Sequence, residues 1–163
     1  MHPLESAWQT VQREFDVAVF EAAVATRRKT TSELNQIARR LKQYETEAGW
    51  FDAILDGAAA FSSQVAAFAL AGESASLRGV RNLDLPVGTI ISLSQAAAFH
   101  SAARSGDIVV ALRARSEVSD LLAQPAPPTR ACLVPILNGK RTVALLFASA
   151  GDDADLNAFE LIA

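Results

Sequence analysis

The chain has 163 residues, Lys+Arg 15 against Asp+Glu 18, half of it hydrophobic and a fifth charged, which predicts one domain with an appendage and excludes disorder. One cysteine, Cys132, and two histidines, His2 and His100, exclude an internal disulfide, a multi-cysteine metal site and a histidine-rich zinc site. Apolar runs such as Val65–Ala71 stop far short of the roughly 20 residues of a bilayer span, and the N-terminus lacks the basic and apolar segments of a signal peptide, so the expectation is a cytoplasmic protein with no membrane partner.

Residues 1–48 read as a long helical dimerisation segment. No glycine occurs from Leu4 to Glu47, and Pro3 suits a first helical turn. Leu4, Trp8, Val11, Phe15, Ala18, Ala22 and Ala25 follow one another at spacings of four and three, the seam of a helix that packs along its length. A second seam, Phe20, Val24, Leu34, Ala38 and Leu41, lies on a shifted register. The shift falls near Thr30 and Glu33, which match a capping box, so either one helix changes register there or two helices meet. At 1.5 Å per residue one helix would be about 60 Å long, more than the following domain can cover. The seam with Leu4, Trp8, Val11, Phe15 and Ala22 therefore predicts a homodimer interface, with a helical hairpin folded back in the monomer as the alternative. The basic clusters Arg27-Arg28-Lys29 and Arg39-Arg40-Lys42 sit among acids, as on a solvated helix back, and neither half of the chain has the basic excess of a nucleic-acid-binding surface.

Residues 49–163 read as one α+β domain. Phe51, Ile54, Leu55, Ala58 and Phe61 give an amphipathic helix closed by Ser62 and Ser63. Val65–Leu70, the turn Ala71–Ser74 and Leu77–Leu83 predict a β-hairpin, and Asp84–Gly88 a loop. Ser94–Arg104 reads as a helix, Ile108–Leu112 as a buried strand, and Ser116–Ala123 as a short helix capped by Ser116. Pro125–Pro128 must be a surface loop. Ala131–Leu137 and Thr142–Ala148 are joined by Asn138-Gly139-Lys140-Arg141, and Asn-Gly between such runs predicts a type I′ hairpin. Ala154–Ala163 starts a last helix that the chain end truncates, which points to a fragment. Consecutive hairpins without a βαβ repeat predict an antiparallel sheet flanked by helices.

This order resembles a GAF domain, the small-molecule sensor fold related to PAS domains. The resemblance rests on the entry helix Trp50–Phe61, on Ala98–Leu112 as AFHSAARSGDIVVAL, and on Ala131–Phe147 as ACLVPILNGKRTVALLF. It implies a GAF-like antiparallel sheet with helices and a long N-terminal signalling helix, and a ligand held between the sheet and the middle helices. Phe68, Phe99, Arg113, Ser116 and Cys132 are the candidate ligand-binding residues; a packed core is the competing reading for the two phenylalanines, and a surface arginine for Arg113. Family members that reduce methionine sulfoxide use several cysteines, and those that attach a bilin use a cysteine in the region that residues 84–130 occupy here without one. The Asn-Lys-Phe-Asp-Glu motif of the cyclic-nucleotide branch has no counterpart.

His100, in an apolar helix run, reads as a packing residue, and Cys132, inside a strand run, as a buried inert thiol. Gly139-Lys140-Arg141-Thr142 lacks the upstream glycine of a phosphate loop and fits a hairpin better. Asp153, Asp155 and Asn157 imitate the start of a calcium loop, but Ala158 stands where that loop needs glycine, and acids at a helix start explain them. The expectation is a non-catalytic sensory or regulatory module without metal or cofactor, binding an unknown small molecule and acting through helix pairing on a partner protein. The alternative is a dimerisation or interaction domain whose pocket side chains fill.

Overall fold

In the computed structural model the described residues are 46–125 and 129–149, with Glu21, Lys29, Ser32, Asn35 and Gln36, which are helical and exposed. The chain divides into two compact units, Met1–Gln36 and Ile37–Ala163. The N-terminal seam with Leu4, Trp8, Val11, Phe15 and Ala22, and the terminal helix Ala154–Ala163, lie outside the described residues.

In the second unit, helix α1 (Glu47–Ala58) opens on Thr46, whose hydroxyl accepts from Gly49 N–H at 3.2 Å. Strands β1 (Val65–Ala71) and β2 (Ser74–Arg81) form the first hairpin. Strand β3 (Ile90–Ser92) follows, then a 3₁₀ turn, Leu93–Gln95, helix α2 (Ala97–Ser105), strand β4 (Val109–Leu112) and helix α3 (Arg115–Val118). Strands β5 (Arg130–Asn138) and β6 (Arg141–Ser149) close the sheet in the order β3-β2-β1-β6-β5-β4, with every neighbouring pair antiparallel. The α+β class and the antiparallel sheet expected from consecutive hairpins are those observed.

Side chains alternate across the sheet, so each strand feeds two layers. One face carries Ala66, Phe68, Leu77, Leu133, Leu145 and Phe147, which form a single buried cluster with Phe99 and Ala102 of α2 and with Val118 and Leu122. The other face carries Val65, Ala67, Cys132 and Leu146, the alternate positions of the same ladder. Helix α1 lies on that second face over β1 and β2. There Leu55 comes so close to Gly79 that an added Cβ would stand 2.6 Å from its Cδ1, so β2 needs glycine at this crossing. Arg81 fastens the same helix through Asp56, at 2.8 Å from Nε, and Asp52, at 3.2 Å from Nη2. Burial works against the Arg81 charge, but the two carboxylates outweigh it and raise its pKa.

Three local expectations change, and one strand is added. Strand β3 is only three residues long and is completed by its pairing with Ser74–Ser76. The strand expected to be buried, β4, is an edge strand with one open face, where Val110 and Leu112 are about half exposed. Ser116 does not cap α3: the helix starts one residue earlier, Ala114 is the cap, and Ser116 is exposed within the first turn. The β5–β6 turn is centred on Gly139-Lys140, because Asn138 pairs with Arg141 and closes the ladder; only Gly139 takes a left-handed φ, 64°, as in a type II′ turn.

Candidate functional site

Phe68 from β1 and Phe99 from α2 meet edge to face, ring centroids 5.1 Å apart and planes at 87°, with both side chains fully buried. They occupy the space between the sheet and α2. Arg113 follows β4 and is only 3% exposed. Its Nε donates to Leu122 O at 2.9 Å, its Nη1 donates to Gln64 Oε1 at 2.6 Å, and its guanidinium lies 5.3 Å from the centre of the Phe147 ring. It faces no carboxylate among the described residues, and burial lowers its pKa. The guanidinium thus ties the 113–122 segment to the start of β1. The neighbouring Ser62 hydroxyl works in the same way, 2.9 Å from both Gln64 O and Ser149 O.

Cys132 sits on the opposite face of the sheet from the phenylalanine pair, because it pairs with Val110 and Ala148 at alternate ladder positions. Ser116 is exposed on α3. The structure therefore brings Phe68, Phe99 and Arg113 to one packed layer and leaves Ser116 and Cys132 away from it. Burial pushes the Cys132 thiol from 9.0 up to about 11, since a thiolate there would lose its hydration. The sign follows from proton binding: the folded state holds the proton more tightly, so this contribution is intact below pH 9 and is lost as pH rises through about 11. Urea midpoints of the native chain should fall across that window more than those of Cys132→Ala. A native thiol that reacts with a disulfide reagent at neutral pH as fast as the unfolded one contradicts the burial.

The open concavity lies elsewhere. A cleft of about 460 Å³ runs between β3 and the segment after α3, lined by Ile90, Ser92, Gln95, Arg115, Ser119 and Leu121 among others. Leu93 N donates to Glu73 O and Leu77 N to Thr89 O, so alternation turns the main-chain groups of Ile90 and Ser92 away from β2 and toward the free edge. Ile90 is 66% and Leu121 49% exposed, which gives the rim an apolar character. Arg115 Nε stands 3.3 Å from Asp120 Oδ1 at the surface. Ser119 is held at φ 77° and ψ 161°, and its Oγ is buried without a hydrogen-bond partner among the described residues. A strained non-glycine residue carrying an unsatisfied buried hydroxyl is a combination that stability alone does not favour. Sequence reasoning missed this site; the β-branched pair Ile90-Ile91 after the Pro86–Gly88 turn was the available sign of a strand.

Three solved structures are similar over most of the chain: the GAF domain of an Acinetobacter phosphoenolpyruvate-protein phosphotransferase, with 15% identity, a TM-score of 0.61 and 82% of this chain covered against 87% of that one; the A. aeolicus nlh2 GAF domain in an inactive state, with 12%, 0.64, 83% and 90%; and reduced fRMsr of Staphylococcus aureus, with 16%, 0.63, 82% and 89%. No protein-family model and no curated protein matches the sequence. The fold is that of a GAF domain. No helix among the described residues is long and apolar enough to cross a membrane.

Proposed function

We propose that this chain is a non-catalytic regulatory module that binds a small molecule in the β3 cleft and reports occupancy through pairing of its N-terminal helices. On this reading residues 1–48 form the dimerisation segment, with Leu4, Trp8, Val11, Phe15 and Ala22 on its interface, and residues 49–163 the GAF-like sensor, acting in the cytoplasm on a partner protein. The observation that carries it is the Ser119 hydroxyl, buried, without a partner among the described residues and held by a strained backbone beside a cleft of about 460 Å³. A ligand whose entry shifts Ser119 enough to bond its buried hydroxyl recovers the cost of leaving that group unpaired. Its occupancy shifts the helix arrangement only through a difference in affinity between two arrangements. Lack of catalysis is supported by the single cysteine, whose thiol burial keeps protonated.

Native mass spectrometry of protein purified from its own source, followed by the same sample denatured, tests this reading. A dimer with added mass that denaturation removes is expected. Ser119→Ala combined with Leu121→Asp should purify without the added mass, and Trp8→Asp should purify as a monomer. Added mass retained by the cleft variant overturns the site, and an unchanged dimer with Trp8→Asp overturns the seam. A second reading, a dimerisation or interaction domain without ligand, is favoured by the filled layer around Phe68 and Phe99. A dimer free of added mass supports it.

A further inference from the structure

A second concave region lies at the end of the domain where α2 meets the β5–β6 turn. Gly106 ends α2, and a Cβ added there would stand 3.4 Å from Leu137 Cδ2 and 4.0 Å from Thr142 Oγ1, so the end of the helix sits directly on the hairpin. The tight turn at Gly139 puts Lys140 and Arg141 beside it. Arg104, from the last turn of α2, joins them from a position 36 residues earlier in the chain than Lys140. The result is a groove of about 360 Å³ whose walls carry Arg104, Lys140 and Arg141 together with Ser105 and Thr142, and no acidic residue among the described residues. A smaller cavity of about 170 Å³ shares Arg104, Arg141 and Thr142 and continues toward Leu70, Leu93 and His100, with Glu73 on its wall.

The charges decide what this place is for. The whole chain has a formal net charge of −3, yet the charged residues that line the groove among the described residues are all cationic. Arg78 faces Glu47, Arg81 faces Asp52 and Asp56, and Arg115 faces Asp120. The side chains of Arg104, Lys140 and Arg141 make no hydrogen bond or ion pair among the described residues. Three like charges gathered in one concavity repel one another, and the carbonyl end of α2 offsets only part of one of them. Two guanidinium forks and an ammonium around a pair of hydroxyls match the oxygens of a phosphate group, which guanidinium binds in bidentate fashion.

We infer that this groove is an anion site for a small phosphorylated molecule, separate from the β3 cleft. The phosphate lies among Arg104, Lys140 and Arg141, and the organic part reaches the smaller cavity beside Leu93 and His100. Arg104, Lys140 and Arg141 are the basic residues that line the groove among the described residues, a three-charge site that favours a small molecule over the stripe of charges a nucleic acid needs.

Calorimetric titration of the full chain with inorganic pyrophosphate, at about 50 mM salt where screening is weak, tests the inference. Saturable binding of one pyrophosphate per chain is expected. Arg104→Ala and Arg141→Ala should each weaken it by at least about fivefold and the double variant should abolish it, while Arg78→Ala, on another part of the surface, should leave it unchanged. These side chains are exposed, and circular dichroism checks that the variants stay folded. The inference is overturned by absent binding, by an equal loss in Arg78→Ala, or by capture of a glutamate-rich peptide or a single-stranded oligonucleotide in preference to pyrophosphate. Ser119→Ala should bind pyrophosphate normally, so failure of the β3 cleft and failure of this groove are read separately.

Discussion

Phe99→Ala lowers the unfolding free energy by about 3–5 kcal/mol, measured by urea denaturation. The side chain is fully buried, stacks edge to face on Phe68 at 5.1 Å, and belongs to the cluster that joins α2 to β1, β5 and β6. Deleting it removes the apolar transfer contribution, the ring pair, and the contacts of every neighbour that cannot collapse into the space. The magnitude also separates two roles for this layer. A phenylalanine that walls an open ligand pocket is already partly solvated, so its truncation removes less burial and leaves no new cavity, and falls well below that range. A small change would therefore revive an interior ligand site beside Phe68 and Phe99. A large one keeps the ligand question at the β3 cleft. The cavity that Phe99→Ala opens is lined by apolar groups and should stay dry, so recovery of stability in the presence of benzene would report its closure.

Arg113→Ala should cost about 2–4 kcal/mol, because the lost hydrogen bonds and packing are partly offset by relief of burying a charge that faces no carboxylate among the described residues. The native guanidinium satisfies Leu122 O and Gln64 Oε1 and lies on the Phe147 ring, so truncation leaves two acceptors unpaired and empties the space beside a buried aromatic. The orphaned Leu122 carbonyl costs about 1–3 kcal/mol, the half-buried Gln64 amide less because it can turn to water, and the lost packing adds to that. Arg113→Lys should recover little, because a single ammonium has no planar fork with which to reach both acceptors and lie over the ring. Arg113→Met, which fills the volume without bringing an ammonium into the core, should be less damaging than Arg113→Lys. A stability unchanged in Arg113→Ala, with a changed affinity for any ligand, would instead make this guanidinium a binding group.

Much of the domain was legible in the sequence because its signals are local. The spacing of Phe51, Ile54, Leu55 and Ala58 announces α1, and the same residues are buried there against the sheet. A glycine with positive φ is needed where β5 turns into β6, and Gly139 supplies it, although the ladder moved the turn by one residue. Apolar runs joined by short turns leave little choice but antiparallel pairing, and β1–β2 and β5–β6 pair that way, whereas the β1–β6 contact that joins the two hairpins spans most of the domain's sequence. The GAF resemblance drew on this order of elements, which is why it spoke to fold and not to ligand.

What the tertiary structure decided is which side chains meet. Arg113 finds Gln64 across 49 positions of sequence, a distance that no periodicity covers. Cys132 and Phe68 both lie in apolar runs, and only the ladder register puts them on opposite faces of one sheet. The β3 strand needs β2 to exist, and the cleft needs the segment after α3 brought to its free edge. Arg104 and the Lys140-Arg141 turn look like ordinary surface charges until the end of α2 settles on the hairpin. The physical reason is common to all four. Local conformation follows from backbone dihedrals and side-chain shape within a few residues, whereas a site is a convergence of distant segments fixed by strand order and layer packing.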